Sequence, residues 1–431
     1  MLRRRLLRKL SGPVGLILAG SVIGQGSVLL VSPLLTRLYS PSDFGAFAVV
    51  TAATGIVGAV ITLSWDRAVV IPEEDGVART LVRLTMYSAA ILASVLAAAA
   101  YVFREEVART VGSDIFIAFW WVVPMTAFSV GIFAVLSSWL VRERRYEGLA
   151  VRNGVQGVAQ AVSSVSLGAL GMTPFGLISS ILVGRVAGLV GMTRYVKRAV
   201  LSGGEPNSLG VTAWRYRKFP LISTFSRLLN AMGLQIPILL IIGLYGSVEA
   251  GLFALTVRVL AAPVGIVADA VSQYFEGTLA HNVRSRSPRL AALTRKVTLN
   301  LAAAGLVPVG IVLVGGPDIF AWVFGDNWEG SGEVARLMVL GYFAQFVVTP
   351  ISRSLLVLER QGTLFVWDAV RLVASTTAVA LPYSMGVPFL ESVAVLASVQ
   401  AVSYLIIFIL CYFATKARDS EYASPQQPSI G

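Results

Sequence analysis

The feature that most constrains this chain is a series of long apolar runs, broken only by short charged clusters. Reading boundaries to within a few residues, runs lie at about 13–35, 44–64, 82–103, 115–140, 148–170 and 174–196. A second set follows at about 218–243, 249–275, 296–315, 335–358, 363–385 and 392–414. Each is long enough to cross a hydrocarbon layer as a helix, which takes about 20 residues. Composition agrees: 56% of the 431 residues are hydrophobic and 13% are charged, where soluble domains carry about 25% charged residues. The expected fold is an all-α polytopic membrane protein with twelve transmembrane helices. Prolines well inside several runs (Pro124, Pro237, Pro263, Pro308, Pro350) predict bends.

Charge then sets an orientation. With the N-terminus in the cytoplasm, 25 of the 35 Lys and Arg fall on the cytoplasmic side and four (Arg37, Arg104, Arg109, Arg336) on the other. This positive-inside asymmetry accounts for most of the +12 net charge, so no nucleic-acid partner is needed to explain it. Both termini are expected in the cytoplasm. The basic start, residues 1–10, resembles a signal-peptide n-region, but the run after it is too long for removal and reads as a permanent first span. One cysteine and one histidine exclude a disulfide framework and leave too few ligands for zinc or haem. No metal or cofactor is expected. Trp65, Trp139, Trp322 and Trp328, near predicted span ends, suit interfacial anchoring.

The chain also repeats itself. Leu38 to Ala48 and Leu244 to Ala254 share five of eleven residues, with the acid kept as Asp43 or Glu249. Ser138 to Arg144 and Ser354 to Arg360 share five of seven, in the same order along the chain. Because six spans separate the copies, the halves are parallel repeats, an arrangement that places a substrate site at the repeat interface and moves by rocking. The expected units are residues 1–204 and 205–417, two six-helix bundles, followed by a disordered cytoplasmic tail at 418–431. The polar stretch Ser202 to Ser208 serves as the linker. The longest external loop, about 316–334, is too short to house an enzyme, so the architecture points to transport. Within it, Asp318 to Glu333 reads as an interfacial helix and turn, with a gating role as the other reading.

Six arginines fall inside predicted spans: Arg152, Arg185, Arg227, Arg258, Arg353 and Arg371, against the acids Asp269, Glu276 and Asp368. A cation at a helix centre costs about 2.5–3.5 kcal/mol on insertion scales, so such groups face a cavity or a partner. The surplus of guanidinium suits a multivalent anion, because the planar fork binds phosphate oxygens bidentately. Arg185, Arg227 and Arg258 lie deepest and are the expected diphosphate contacts. The others have plainer readings beside a ligand role: Arg371 paired with Asp368 one helical turn away, Arg152 and Arg353 reaching for the cytoplasmic interface, and Arg67 in a solvated loop. Gly20-x-x-x-Gly24 and Gly184-x-x-x-Gly188 predict close helix packing, the second around Arg185.

Ser32 to Gly45 (SPLLTRLYSPSDFG) resembles the first-loop signature of bacterial polysaccharide (oligosaccharide) flippases of the multidrug/oligosaccharidyl-lipid/polysaccharide exporter superfamily. Phe324 to Glu329, followed by Pro350 and Leu356 to Gln361, resembles that family's second-half signature. The stretch Trp65-Asp66-Arg67-Ala68 departs from the family's pattern of an Arg followed by an aromatic and an acid, which puts a role for Arg67 in question. The resemblance implies movement of an undecaprenyl-diphosphate-linked oligosaccharide from the cytoplasmic to the periplasmic leaflet of the bacterial inner membrane, for O-antigen lipopolysaccharide, capsule or exopolysaccharide. It implies a cationic cavity and alternating access, with membrane lipids, a polysaccharide polymerase and glycosyltransferases as partners. Competing readings are a drug/cation antiporter of the same superfamily, a major-facilitator transporter, and a membrane polysaccharide polymerase or ligase.

Overall fold

A computed structural model describes residues 13–111, 114–196 and 208–423. Among these the regular structure is helical, with no strand. The long helices are α1 (Pro13–Leu30), α2 (Pro41–Val60), α3 (Asp75–Val102), α4 (Val122–Arg142), α5 (Tyr146–Ala169), α6 (Phe175–Thr193), α7 (Thr224–Tyr245), α8 (Ser247–Arg284), α9 (Leu290–Phe324), α10 (Glu329–Val357), α11 (Gln361–Ser384) and α12 (Phe389–Ala423). Ten helices of the described residues are long and apolar enough to cross a membrane. The twelve expected from sequence include two more, α5 and α8, long enough at 24 and 38 residues; α5 is more polar along its length, and several side chains of α8 lie outside the described residues. The protein is a multi-pass membrane protein.

The chain forms two compact units, residues 1–255 with 323–328, and residues 256–322 with 329–431. In the first unit α5 is held between α1 and α6 by glycines. A Cβ on Gly24 would strike the Asn153 carbonyl, and one on Gly184 would lie 2.7 Å from the Gln156 carbonyl. Both small-residue faces expected from the spacing are therefore packing faces. The repeated signature gives a second close approach. A Cβ on Gly45 would overlap the Ser247 carbonyl, and one on Gly251 would overlap the Pro41 carbonyl. Gly45 aligns with Gly251 and Pro41 with Ser247, so the two copies cross reciprocally, each glycine against the other copy's first turn. The α2 copy is closed by a capping box: Ser40 Oγ accepts from the Asp43 N–H at 3.2 Å, and Asp43 accepts from the Ser40 N–H at 2.8 Å.

The second repeated signature also has a structural meaning. The chain leaves α4 through Arg144 in the left-handed region, with the Arg145 N–H donating to the Leu140 carbonyl at 2.8 Å. It leaves α10 through left-handed Glu359, with the Arg360 N–H donating to the Leu355 carbonyl at 2.7 Å. Both are helix ends of the Schellman type, in which that bond satisfies an orphan carbonyl.

Three of the four tryptophans expected at the interface are instead buried. Trp328, 1% exposed, ends the 3₁₀ turn Asp326–Trp328, donates to the Thr36 carbonyl at 3.0 Å, and meets Phe44 edge-to-face at 4.8 Å. Trp65 and Trp139 belong to one core with Leu81, Leu140 and Met192. Only Trp322 is exposed. A tryptophan at a helix end offers its large ring to neighbouring helices as readily as to lipid headgroups, and sequence position alone does not separate the two. Nearby, the Tyr39 hydroxyl donates to the Ser164 carbonyl at 2.7 Å. Burial, and then the Asp43 carboxylate, push that phenol up to about 12, so it stays a donor at neutral pH.

The second unit is built on a core that includes Phe275, Leu301, Ile351, Leu355, Ile407 and Cys411. Its helices run past the predicted span ends. Asp419 of α12 accepts from the Leu290 and Ala291 N–H groups at 2.9 Å each and so caps α9. The segment expected to be a disordered tail from residue 418 is therefore helical through Ala423, and 424–431 lie outside the described residues. So do residues 1–12, most of the linker at 197–207 and the side chain of Asp269.

Candidate functional site

Within the first unit, α2, α4, α6 and α7 line an open cavity of about 460 Å³. Gly55 and Gly58 of α2 keep its wall free of side-chain bulk, and Thr51, Asn230 and Gln235 add neutral polar groups. Three arginines line it: Arg185 from α6, Arg227 from α7, and Arg67 from the short helix Trp65–Ala68 that follows α2. Its lining contains no carboxylate. Arg227, Asn230, Ala231 and Leu234 all contribute, spaced as one face of a helix.

Each cation is held differently. Arg227 Nη1 lies 3.3 Å from Asp66 Oδ1 and 3.5 Å from the hydroxyls of Thr62 and Ser64. Asp66 is itself fixed by Thr62, whose hydroxyl donates to Oδ1 at 2.6 Å. This cluster sits where the chain breaks out of α2. Leu63 and Ser64 take left-handed φ values of 46° and 56°, conformations that cost non-glycine residues about 1–3 kcal/mol each. The Thr224 hydroxyl donates to Ser64 Oγ at 3.0 Å and ties the break to the start of α7.

Arg185 has no ion pair among the described residues. Its Nε is buried without a hydrogen-bond acceptor, an arrangement that costs free energy unless a ligand supplies one. Its guanidinium lies 6.0 Å from the centre of the Phe133 ring, and that of Arg152 lies 3.9 Å from the same ring. Arg152 is satisfied locally, donating to Asn153 Oδ1 at 3.0 and 2.5 Å and to Ser137 Oγ. Asn153 in turn donates to Ser21 of α1 at 2.9 Å.

The structure thus brings Arg185 and Arg227 together and adds Arg67, which lines the cavity where the sequence suggested a solvated loop. Arg152 shares the Phe133 ring with Arg185. Arg258 is half-buried in the part of α8 that belongs to the second unit and is not in the cavity lining. Arg353 is exposed. Arg371 pairs with Asp368 at 3.1 Å, both side chains buried, and its guanidinium lies 4.7 Å from the centre of the Trp367 ring. The sequence reading missed Asp66 as the partner of Arg227. The i, i+4 spacing of Thr62 and Asp66 was a signal for it, but the break at Leu63 and Ser64 was not visible in residue type.

Comparison with known proteins agrees with this architecture. The family model described as polysaccharide biosynthesis protein matches residues 34–333. The succinoglycan biosynthesis transport protein ExoT of Rhizobium meliloti (strain 1021) is 25% identical over 371 residues, covering 82% of this chain and 70% of ExoT. Two solved structures share the fold. One is an inward-facing multidrug-resistance MATE transporter of the MOP superfamily, with a TM-score of 0.67, 14% identity, and coverage of 96% of this chain and 97% of that one. The other is the lipid II flippase MurJ in an inward closed conformation, with a TM-score of 0.69, 10% identity, and coverage of 93% and 89%.

The protein belongs to the polysaccharide biosynthesis protein family and carries the helical fold of the MOP superfamily. The resemblance of Ser32 to Gly45 to the polysaccharide flippases of that superfamily is borne out. In kind, the chain is a membrane transport protein of polysaccharide biosynthesis.

Proposed function

We propose that the protein is a flippase for a lipid-diphosphate-linked oligosaccharide, moving it from the cytoplasmic to the periplasmic leaflet of a bacterial inner membrane by alternating access. The observation that carries this reading is the cavity itself: three guanidinium groups and no lining carboxylate, one of them with a buried donor lacking an acceptor. Such a site attracts a multivalent anion and repels a cation, which favours a diphosphate over the cationic cargo of a drug antiporter. The family match and the name of the Rhizobium meliloti relative support a glycan as the other half of the cargo.

Arg185 and Arg227 are assigned as diphosphate contacts, joined by Arg67. Arg152 orients Arg185 through Phe133. Arg258 is assigned as an anion contact, whereas Arg353 is an interfacial anchor and Arg371 a structural partner of Asp368. The lipid tail stays among membrane lipids while the head group is transferred. Glycosyltransferases on the cytoplasmic side supply the cargo and a polymerase outside consumes it for O-antigen lipopolysaccharide, capsule or exopolysaccharide. The positive-inside charge distribution supports cytoplasmic termini.

The test is deletion of the gene followed by analysis of the lipid-linked sugars in each leaflet. Accumulation of a diphosphate-linked oligosaccharide confined to the cytoplasmic leaflet, reversed by the wild-type gene on a plasmid, is the expected result. An unpolymerised intermediate in the periplasmic leaflet would instead indicate a polymerase or ligase, and an unchanged lipid-linked pool would return the antiporter reading.

A further inference from the structure

Arg227 is an odd member of the cavity. Its ion-pair partner, Asp66, lies outside the cavity lining. The pair is loose: 3.3 Å through a single nitrogen, where charge-assisted bonds close to about 2.7–2.9 Å. Nη1 makes every polar contact that Arg227 has among the described residues, so Nε and Nη2 keep their donors for a ligand. Asp66 does not depend on Arg227 alone, because Thr62 donates to the same carboxylate oxygen at 2.6 Å. The carboxylate therefore keeps a hydrogen bond when the guanidinium leaves.

We infer that Asp66 is an internal competitor for Arg227, holding the guanidinium aside in the empty cavity and yielding it only to an anion of two or more charges. The inference rests on the reading of the cavity as an anion site and adds a specificity determinant to it. A singly charged anion offers Arg227 no more charge than the carboxylate already beside it. A diphosphate reaches Arg185 and Arg227 together and brings more charge than Asp66 supplies, so the exchange is favourable. Thr62 and the break at Leu63 and Ser64 hold Asp66 in place to retake Arg227 once the anion has left.

The test uses the purified protein in detergent at mildly acidic pH, where inorganic phosphate is mostly singly charged and pyrophosphate carries two charges or more, with these two anions as probes and calorimetric titration as the readout. Asp66→Asn is expected to tighten both, phosphate more than pyrophosphate, by roughly fivefold for phosphate, so that discrimination between the probes shrinks. In Arg227→Gln the same change at Asp66 is expected to have no further effect, since nothing is left to compete for. Weaker binding of both probes in Asp66→Asn would show a carboxylate that merely supports the turn and would overturn the inference. Asp66→Ser serves as a second neutral variant, and failure of both to fold would likewise make the carboxylate structural and overturn the inference. The underlying reading fails separately: if the wild type binds neither probe, or Arg185→Gln leaves pyrophosphate binding unchanged, the cavity is not an anion site and the inference falls with it.

Discussion

Arginine stands among helices in both units, but in opposite settings. In the first, Arg67, Arg185 and Arg227 line a cavity whose lining has no carboxylate, and Asp66 touches Arg227 from outside that lining. In the second, Arg371 meets Asp368 one turn earlier on α11, with the two side chains 8% and 11% exposed and 3.1 Å apart. The second arrangement sets a carboxylate against the guanidinium on the same helix, so its charge is answered before any ligand arrives. The first leaves charge over, together with an open volume in which to answer it. An intramembrane arginine is thus not by itself a sign of a binding site. The stoichiometry of its surroundings decides.

The comparison breaks most readily at the pair of Asp368 and Arg371. Asp368→Leu leaves a buried guanidinium unanswered and should destabilise the protein by about 3–5 kcal/mol, read as a lower melting temperature in detergent. The double change Asp368→Leu with Arg371→Leu should recover most of that loss. If the single change is harmless, the pair is not the closed arrangement described here.

A smaller effect is expected where the repeated signatures cross. Gly251→Ala places a methyl group on the Pro41 carbonyl, and overpacking of this kind costs about 1–3 kcal/mol. Gly45→Ala should cost a similar amount against Ser247, because the contact is reciprocal. An effect at one glycine without the other would contradict the reciprocal packing. The smallest effect belongs to Arg67, which is exposed at the edge of the cavity. Arg67→Gln should weaken pyrophosphate binding by roughly twofold to fivefold, with the difference fading in high salt.

Much of this was legible in the sequence, and what was not has physical reasons. Apolar runs announce membrane helices because the bilayer demands about 20 such residues whatever they pack against. The glycine spacings on α1 and α6 announced close packing for a similar reason: backbones approach only where side chains are missing. The pairing of Asp368 with Arg371 followed from their spacing on one helix. The convergence of Arg67 with Arg185 and Arg227 did not, because it depends on the non-helical break at Leu63 and Ser64, which turns the chain after α2. Ordinary residues in a left-handed conformation carry no mark in the sequence. The burial of Trp65, Trp139 and Trp328 was hidden likewise, since their neighbours come from distant helices.

The central claim is that the charge surplus in the first-unit cavity, not intramembrane arginine in general, engages the cargo. The most direct measurement is the translocation rate of a diphosphate-linked lipid oligosaccharide in proteoliposomes holding wild type, Arg67→Gln/Arg185→Gln/Arg227→Gln, or Asp368→Leu/Arg371→Leu. The account predicts that the triple variant slows by at least about a hundredfold, since two or more charge-assisted hydrogen bonds are lost, while the neutralised pair keeps most of the wild-type rate per folded molecule. A triple variant that transports normally, or a neutralised pair that alone abolishes transport, would contradict it.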